Sequence, residues 1–106
     1  MRILLTGANG FVGQATCTTL RQAGHRVAAA VRSSHGLADE HWVGEINAQT
    51  DWRAALTGMD AVVHLAARVH VMRDAAADPL AAYRAVNVEG TLHLARQAAA
   101  AGVRRF

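Results

Sequence analysis

Residues 6–13 read Thr-Gly-Ala-Asn-Gly-Phe-Val-Gly, which places three glycines at the spacing G-x-x-G-x-x-G. Gly7 allows a sharp turn, Gly10 allows the backbone to approach a diphosphate, and Gly13 allows a helix to lie close to the preceding strand. The N–H groups that begin such a helix face the phosphates, and the helix dipole favours the negative charge. The stretch therefore predicts a dinucleotide-binding turn between a first strand and a first helix.

The residues on both sides of the glycines have the periodicity that such a turn requires. An apolar strand is predicted over residues 2–5, and a helix with one apolar face over residues 10–23. Gly24 stands where a helix-terminating glycine is expected, and residues 26–31 form an apolar run typical of a strand covered on both faces. No Gly-Lys-Ser/Thr sequence follows the glycines, which excludes the phosphate loop of ATPases.

The rest of the chain continues this alternation. Four further elements are predicted: a short strand over 42–46, a brief helix from a cap at Thr50 or Asp51 through Leu56, a strand over 60–66, and a helix over 80–101 with two apolar stripes. Residues 103–106 are expected to begin a fifth strand. We therefore predict an α/β fold, a Rossmann-like doubly wound parallel sheet in three α/β/α layers, truncated at the start of the fifth strand.

Composition narrows the possible partners. Apolar residues make up 52% of the 106 residues and aromatic ones only 5%, which suits Ala-rich helices packed on Val-rich strands. Cys17 is the only cysteine, so an intramolecular disulfide is excluded. The net charge is +3, but the arginines are scattered without aromatic residues between them, so we expect no nucleic-acid partner.

No apolar run approaches the ~20 residues that span a bilayer, and no signal peptide is evident, so we expect a cytoplasmic protein without a membrane partner.

Three motifs occur in order along the chain: residues 6–13, Gly-Met-Asp-Ala-Val-Val-His-Leu-Ala-Ala at 58–67, and Asp-Pro-Leu at 78–80 leading into Asn-Val-Glu-Gly-Thr at 87–91. Together they resemble the extended short-chain dehydrogenase/reductase family, also called the NAD-dependent epimerase/dehydratase family. The resemblance implies that residues 1–106 are the amino-terminal part of an NAD(P)-binding domain. It implies that the parent protein is a nucleotide-sugar epimerase, dehydratase or 4-ketoreductase. The loop at 67–72 is similar to members that handle UDP-linked N-acetylamino sugars in surface-polysaccharide biosynthesis.

The expected cofactor contacts lie in the glycine turn and at the ends of the later strands: Gly7, Asn9, Gly10, Phe11, Val12, Gly13, Arg32, Ser33, Glu45, Ile46, Leu65, Ala66 and Ala67. By resemblance, Glu45 and Ile46 lie near the adenine, and residues 65–67 line the cofactor. The second strand ends at Arg32 and Ser33 without the carboxylate that binds the ribose diol of NAD. We therefore expect NAD(P) with a preference for NADP(H); the alternative is a solvated arginine compatible with either cofactor.

The catalytic residues of the family are not expected within this stretch. The family relies on a Tyr-x-x-x-Lys pair, assisted by Ser or Thr, in which the lysine lowers the pKa of the tyrosine. Tyr83 is the only tyrosine, Asn87 stands four positions later, and the sequence contains no lysine. We predict that residues 1–106 bind dinucleotide but do not turn over substrate. In the parent enzyme, Arg68, His70 and Asn87 are expected near the UDP-sugar, with ordinary loop or helix roles as the alternative.

Two other hypotheses stay open. One is a non-catalytic NADP-sensing or scaffold module of the atypical short-chain dehydrogenase type. The other is a homodimer formed through the helix at 80–101, whose second apolar stripe would supply the contact. The six histidines show no paired ligand spacing on one element, so no metal site is expected.

Overall fold

The computed structural model describes residues 1–33, 39–69 and 77–106. Strands and helices alternate along this part of the chain: β1 Arg2–Thr6, α1 Phe11–Gln22, β2 Arg26–Val31, β3 Glu40–Trp42, α2 Arg53–Leu56, β4 Ala61–His64, α3 Pro79–Arg84 and α4 Thr91–Ala100. A π-helical segment, Ala85–Gly90, connects α3 directly to α4. The predicted α/β alternation is confirmed.

The strands form one parallel sheet in the order β3-β2-β1-β4. β1 is central, which matches its burial: four of its five residues are buried. Beyond β4, Arg105 makes a single parallel bridge to Ala61, and its carbonyl accepts the N–H of Val62 at 2.9 Å. This bridge lies within residues 103–106, where a fifth strand is expected to begin.

Side chains that alternate along the strands build one core on each face of the sheet. Leu4 points to the face covered by α2 and α4, where Trp52, Leu56 and Leu94 are buried. Leu5 points to the other face, where Val27, Ala29 and Val31 pack with Cys17 and Leu20 of α1. The two cores give the three α/β/α layers of a doubly wound sheet.

Two predicted elements differ from the structure. The third strand is Glu40–Trp42 rather than 42–46, because Gly44 has φ +69° and turns the chain away from β2. The predicted helix over 80–101 begins at Pro79, with the Asp78 side chain accepting the N–H of Ala81 at 3.1 Å. It is interrupted by the π-helical segment, which the apolar periodicity did not indicate.

Candidate functional site

Two glycines of the first turn are required by the packing of the chain itself. Gly7 has φ +71°, and a Cβ there would lie 2.9 Å from the backbone of Leu65 and Ala66. A Cβ on Gly13 would lie 1.8 Å from the carbonyl oxygen of Gly7. Any larger residue at either position would push α1 or the loop after β4 away from β1.

Gly10 is different, because none of the described residues requires a glycine there. Its backbone is extended, with φ −77° and ψ 175°, a conformation that any residue adopts. A Cβ would meet only the carbonyl oxygen of Gly7, at an ordinary contact distance of 3.4 Å. The missing side chain therefore leaves open space above the turn, which fits the approach of a diphosphate to the backbone.

The first turn of α1 offers backbone donors to that space. Gly10 is the N-cap residue and supplies no capping side chain, and the first turn contains no acidic residue. The first hydrogen bond of the helix runs from Gln14 N to Gly10 O at 2.9 Å, so the N–H groups of Phe11, Val12 and Gly13 precede it. Such an uncapped N-terminus favours an anion.

A cleft of about 400 Å³ opens beside this turn at the carboxyl ends of the strands. The predicted cofactor residues that line it are Gly7, Asn9, Gly10, Arg32, Ser33, Glu45, Ile46, Leu65, Ala66 and Ala67. Residues from four separate segments of the sequence thus meet at one edge of the sheet. In parallel α/β sheets, ligands bind outside the carboxyl ends of the strands.

Arg68, a predicted substrate residue, also lines the cleft. The other predicted cofactor residues lie elsewhere. Gly13 is buried beneath Gly7, while Phe11 and Val12 line a groove along α1, with the Phe11 side chain 96% exposed. His70 lies outside the described residues. Sequence reasoning missed three residues that line the cleft: Ala30, Val31 and Val86. The first two end β2, so the strand prediction already indicated their place; Val86 carries no motif that would have indicated it.

Thr6 and His64 end the neighbouring strands β1 and β4 and are hydrogen bonded, with Thr6 Oγ1 2.6 Å from His64 Nδ1. The Thr6 hydroxyl oxygen also accepts the backbone N–H groups of Leu65 and Ala66, each at 3.1 Å. Because the Thr6 oxygen already accepts two hydrogen bonds, we assign the Thr6 hydroxyl as the donor to His64 Nδ1, which is then unprotonated. His64 Nε2 then carries the ring proton and donates to Thr91 Oγ1 at 3.2 Å. This network fixes the backbone that follows β4 along the cleft.

The same network predicts a dependence of stability on pH. Burial lowers the pKa of His64 from its ordinary value of 6.5. The folded protein therefore keeps this ring neutral to a lower pH than the unfolded chain, which takes up a proton near pH 6.5. The free energy of unfolding is expected to be highest above that pH and to fall as the pH drops towards the folded-state pKa. Denaturant unfolding between about pH 8 and about pH 5 measures this slope.

His64→Gln is the control, because it keeps a neutral hydrogen-bonding side chain that does not titrate. Its pH slope is expected to be shallower than that of the wild type. Equal slopes in the two proteins would show that His64 does not cause the dependence.

Asn87, on the π-helical segment, binds both backbone groups of Arg68. Its Oδ1 accepts the N–H of Arg68 at 2.8 Å, and its Nδ2 donates to the carbonyl oxygen of Arg68 at 3.0 Å. The guanidinium of Arg68 lies over the ring of Tyr83, 5.5 Å from its centre. Asn87 thereby positions the chain at the end of the cleft. Both polar atoms of its side-chain amide are hydrogen bonded to the backbone.

Charged side chains meet at the far end of the cleft. Arg32 Nη1 lies 3.7 Å from Glu45 Oε1, and both side chains are largely exposed. The arginine that follows β2 therefore has a carboxylate beside it, contributed by the segment that follows β3.

A second, larger cleft of about 500 Å³ opens at the opposite end of the sheet, between α1 and the start of β3. Its lining includes Arg2, Arg21 and Arg26, together with Asp39 and Glu40. It lies at the amino ends of the strands, away from the glycine turn. The arrangement of a parallel sheet therefore favours the smaller cleft as the functional site.

Comparison with known proteins identifies the family of the chain. The family described as "NAD dependent epimerase/dehydratase family" matches residues 3–106, nearly the whole chain. The chain belongs to this family. The match confirms the resemblance drawn from the three motifs, and it covers the observed fold from the second residue of β1 onward.

Two relatives show the range of family members that the chain is similar to. UDP-glucose 4-epimerase of Vibrio cholerae is 48% identical over 109 residues, covering 98% of this chain and 33% of that protein. A 3-beta-hydroxysteroid dehydrogenase of Mycolicibacterium neoaurum is 37% identical over 111 residues, covering 99% of this chain and 30% of that protein. This family member thus spans about a third of the length of the curated relatives it matches.

Solved structures confirm the fold. A short-chain dehydrogenase/reductase superfamily protein from Agrobacterium tumefaciens, with bound NAD, superposes with a TM-score of 0.77 at 38% identity, covering 100% of this chain and 31% of that one. MoeE5 in complex with UDP-glucuronic acid and NAD superposes with a TM-score of 0.78 at 28% identity, covering 99% of this chain and 35% of that one. The family member described here therefore has a Rossmann-like fold.

Within residues 1–33, 39–69 and 77–106, no helix combines the length and the apolar character that crossing a bilayer demands. The same ranges contain no group of three or more His, Cys, Asp or Glu side chains arranged to hold a metal ion.

Proposed function

We propose that these residues form the dinucleotide-binding part of an NAD(P)-dependent epimerase, dehydratase or 4-ketoreductase that acts on a UDP-linked sugar. The observation that carries the proposal is Gly10. Packing among the residues that the structure describes does not need a glycine at this position, yet a side chain there would occupy the space in front of the uncapped start of α1. A bound diphosphate explains why that space is kept open.

The sugar-nucleotide part of the proposal rests on the relatives. The Vibrio cholerae relative, 48% identical, is a UDP-glucose 4-epimerase, and MoeE5 binds UDP-glucose or UDP-glucuronic acid together with NAD. The steroid dehydrogenase relative is less similar, at 37% identity. We therefore favour a nucleotide sugar over a steroid as the substrate of the whole protein.

In this proposal each part of the cleft has its own task. The first turn of α1 holds the diphosphate, Arg32 with Ser33 and Glu45 with Ile46 hold the adenosine end, and residues 65–67 lie along the nicotinamide half. Once bound, the nicotinamide ring supplies a hydride acceptor or donor. The chain contributes orientation: Thr6 and His64 fix the backbone after β4, so its position relative to the glycine turn is set before the cofactor arrives.

The residues that perform the chemistry are proposed to lie outside these 106. The sequence contains no lysine, and Asn87 stands four positions after Tyr83, the only tyrosine. We therefore propose that residues 1–106 alone bind dinucleotide without turnover. A non-catalytic NADP-sensing or scaffold module, the alternative expectation, shares this binding step and differs only in the remainder of the protein.

A homodimer through the long helix stays a proposal as well. Val88 and Leu92, on the π-helical segment and α4, belong to the second apolar stripe, and each is about half exposed. Their exposure supports a partner on this face.

The UDP-sugar site is likewise proposed for the whole protein, and Arg68 and Asn87 are expected to take part in it. A cytoplasmic location of the whole protein is also a proposal.

Calorimetric titration with NAD, adenosine 5′-diphosphate and adenosine tests the proposed function. Each good hydrogen bond to a charged group contributes about 1.5–3 kcal/mol, so losing the diphosphate is expected to weaken binding by at least about tenfold. NAD and the diphosphate are therefore expected to bind clearly more tightly than adenosine. Absence of binding to both NAD and NADP, or adenosine binding as tightly as the diphosphate, would contradict the proposal.

A further inference from the structure

An ion pair between residues that follow two neighbouring strands lines the far end of the cleft. Arg32 directly follows the last residue of β2, and Glu45 follows β3 after a short turn. Their charged atoms are 3.7 Å apart, each side chain is 73% exposed, and both residues line the cleft. The exposure leaves both groups accessible to a ligand.

The backbone keeps these two residues side by side. Val31 pairs in register with Trp42, and the N–H of Val43 donates to the carbonyl oxygen of Val31 at 2.9 Å. The Thr50 hydroxyl donates to the carbonyl oxygen of Glu45 at 2.7 Å, which fixes the turn that carries the carboxylate. The pair is thus held by the sheet rather than by its own weak surface attraction.

The chemistry at this position distinguishes the two nicotinamide dinucleotides. The adenosine ribose of a dinucleotide lies at the end of the second strand of such a fold. A carboxylate accepts hydrogen bonds from a ribose diol and repels a 2′-phosphate, whereas an arginine binds the phosphate with two parallel hydrogen bonds. With both Arg32 and Glu45 present, the 2′-phosphate of NADP must compete with the Glu45 carboxylate for Arg32. The ribose diol of NAD instead gains a hydrogen-bond acceptor.

We propose that Glu45, together with Arg32, determines whether this cleft takes NAD or NADP. Glu45 supplies, from the segment after β3, the carboxylate that the end of β2 lacks. This inference rests on the proposed function, since it presumes that the cleft binds a dinucleotide. It also qualifies the expectation of an NADP(H) preference, which treated Arg32 as an unopposed cation.

The test compares the dissociation constants for NAD and NADP in the full-length protein and in Glu45→Gln. Removing the carboxylate is expected to shift the ratio of the two constants about tenfold in favour of NADP, because one repulsive charge near the phosphate is lost. Arg32→Gln is expected to shift the ratio in the opposite direction. Asp51→Asn is the matched control: Asp51 forms a similar exposed pair with Arg53, 2.8 Å apart, and is absent from the lining of the cleft.

The control is expected to leave the ratio unchanged. If Glu45→Gln behaves like Asp51→Asn while Arg32→Gln still shifts the ratio, Arg32 acts alone and the inference is overturned. If the wild-type protein binds neither dinucleotide, the proposed function itself fails. The two failures are therefore distinguishable in one set of titrations.

Discussion

Gly13→Ala is expected to lower the free energy of unfolding by more than about 3 kcal/mol, because its new methyl group has no room. The Cβ would stand 1.8 Å from the carbonyl oxygen of Gly7 and 2.7 Å from the carbonyl carbon. Both atoms belong to the backbone at the end of β1, so no side-chain rotation relieves the contact. The helix must instead move away from the sheet and expose the core between α1 and β2.

The sign of this effect makes it informative. At an unhindered helical position, replacing glycine by alanine stabilises a protein by about 1 kcal/mol. The expected loss would also consume a large share of the total stability of a small domain, about 5–15 kcal/mol. Denaturant unfolding measures both proteins, and Gly10→Ala serves as the control, because a Cβ there makes only a 3.4 Å contact. A Gly13→Ala protein as stable as the wild type would contradict the packing described for the turn.

Local signals predicted the parts of the fold that neighbouring residues determine. The glycine spacing placed β1, the turn and α1 correctly, because the requirements of that turn lie within residues 6–13. The end of β3 was misplaced for a different reason. Ile46 is apolar because it packs against Gly90, where a Cβ would lie 3.0 Å from its Cγ2, and not because it belongs to a strand.

The contacts that shape the site depend on the assembled sheet. Thr6 and His64 are 58 positions apart, and their hydrogen bond exists only because β1 and β4 pair in register. The Arg32–Glu45 pair likewise needs β3 to lie beside β2. Motifs indicated that each of these segments borders a dinucleotide site, but no periodicity in the sequence specified which side chains would meet across it.

Gly10→Ser is expected to leave the fold intact and to abolish tight binding of the dinucleotide. Serine is a favoured N-cap residue, and the extended backbone at position 10 lets its hydroxyl accept an N–H group from the first turn of α1. The free protein should therefore be as stable as the wild type, or more stable by a few tenths of a kcal/mol. The same hydroxyl fills the space that a diphosphate would use, and it accepts a hydrogen bond from the N–H groups that the diphosphate would bind.

The opposite signs of the two effects separate binding from folding. A substitution that merely disturbed the turn would lower stability and affinity together. A substitution that competes with the ligand lowers affinity alone.

Calorimetric titration of the wild-type and Gly10→Ser proteins with NAD, with the unfolding temperature of each measured beside it, tests the central claim most directly. We predict an unchanged or raised unfolding temperature and an affinity for NAD reduced by at least about tenfold, since one or more charge-assisted hydrogen bonds are lost. Equal affinity in the two proteins would contradict the claim that a diphosphate lies on the backbone N–H groups that begin α1.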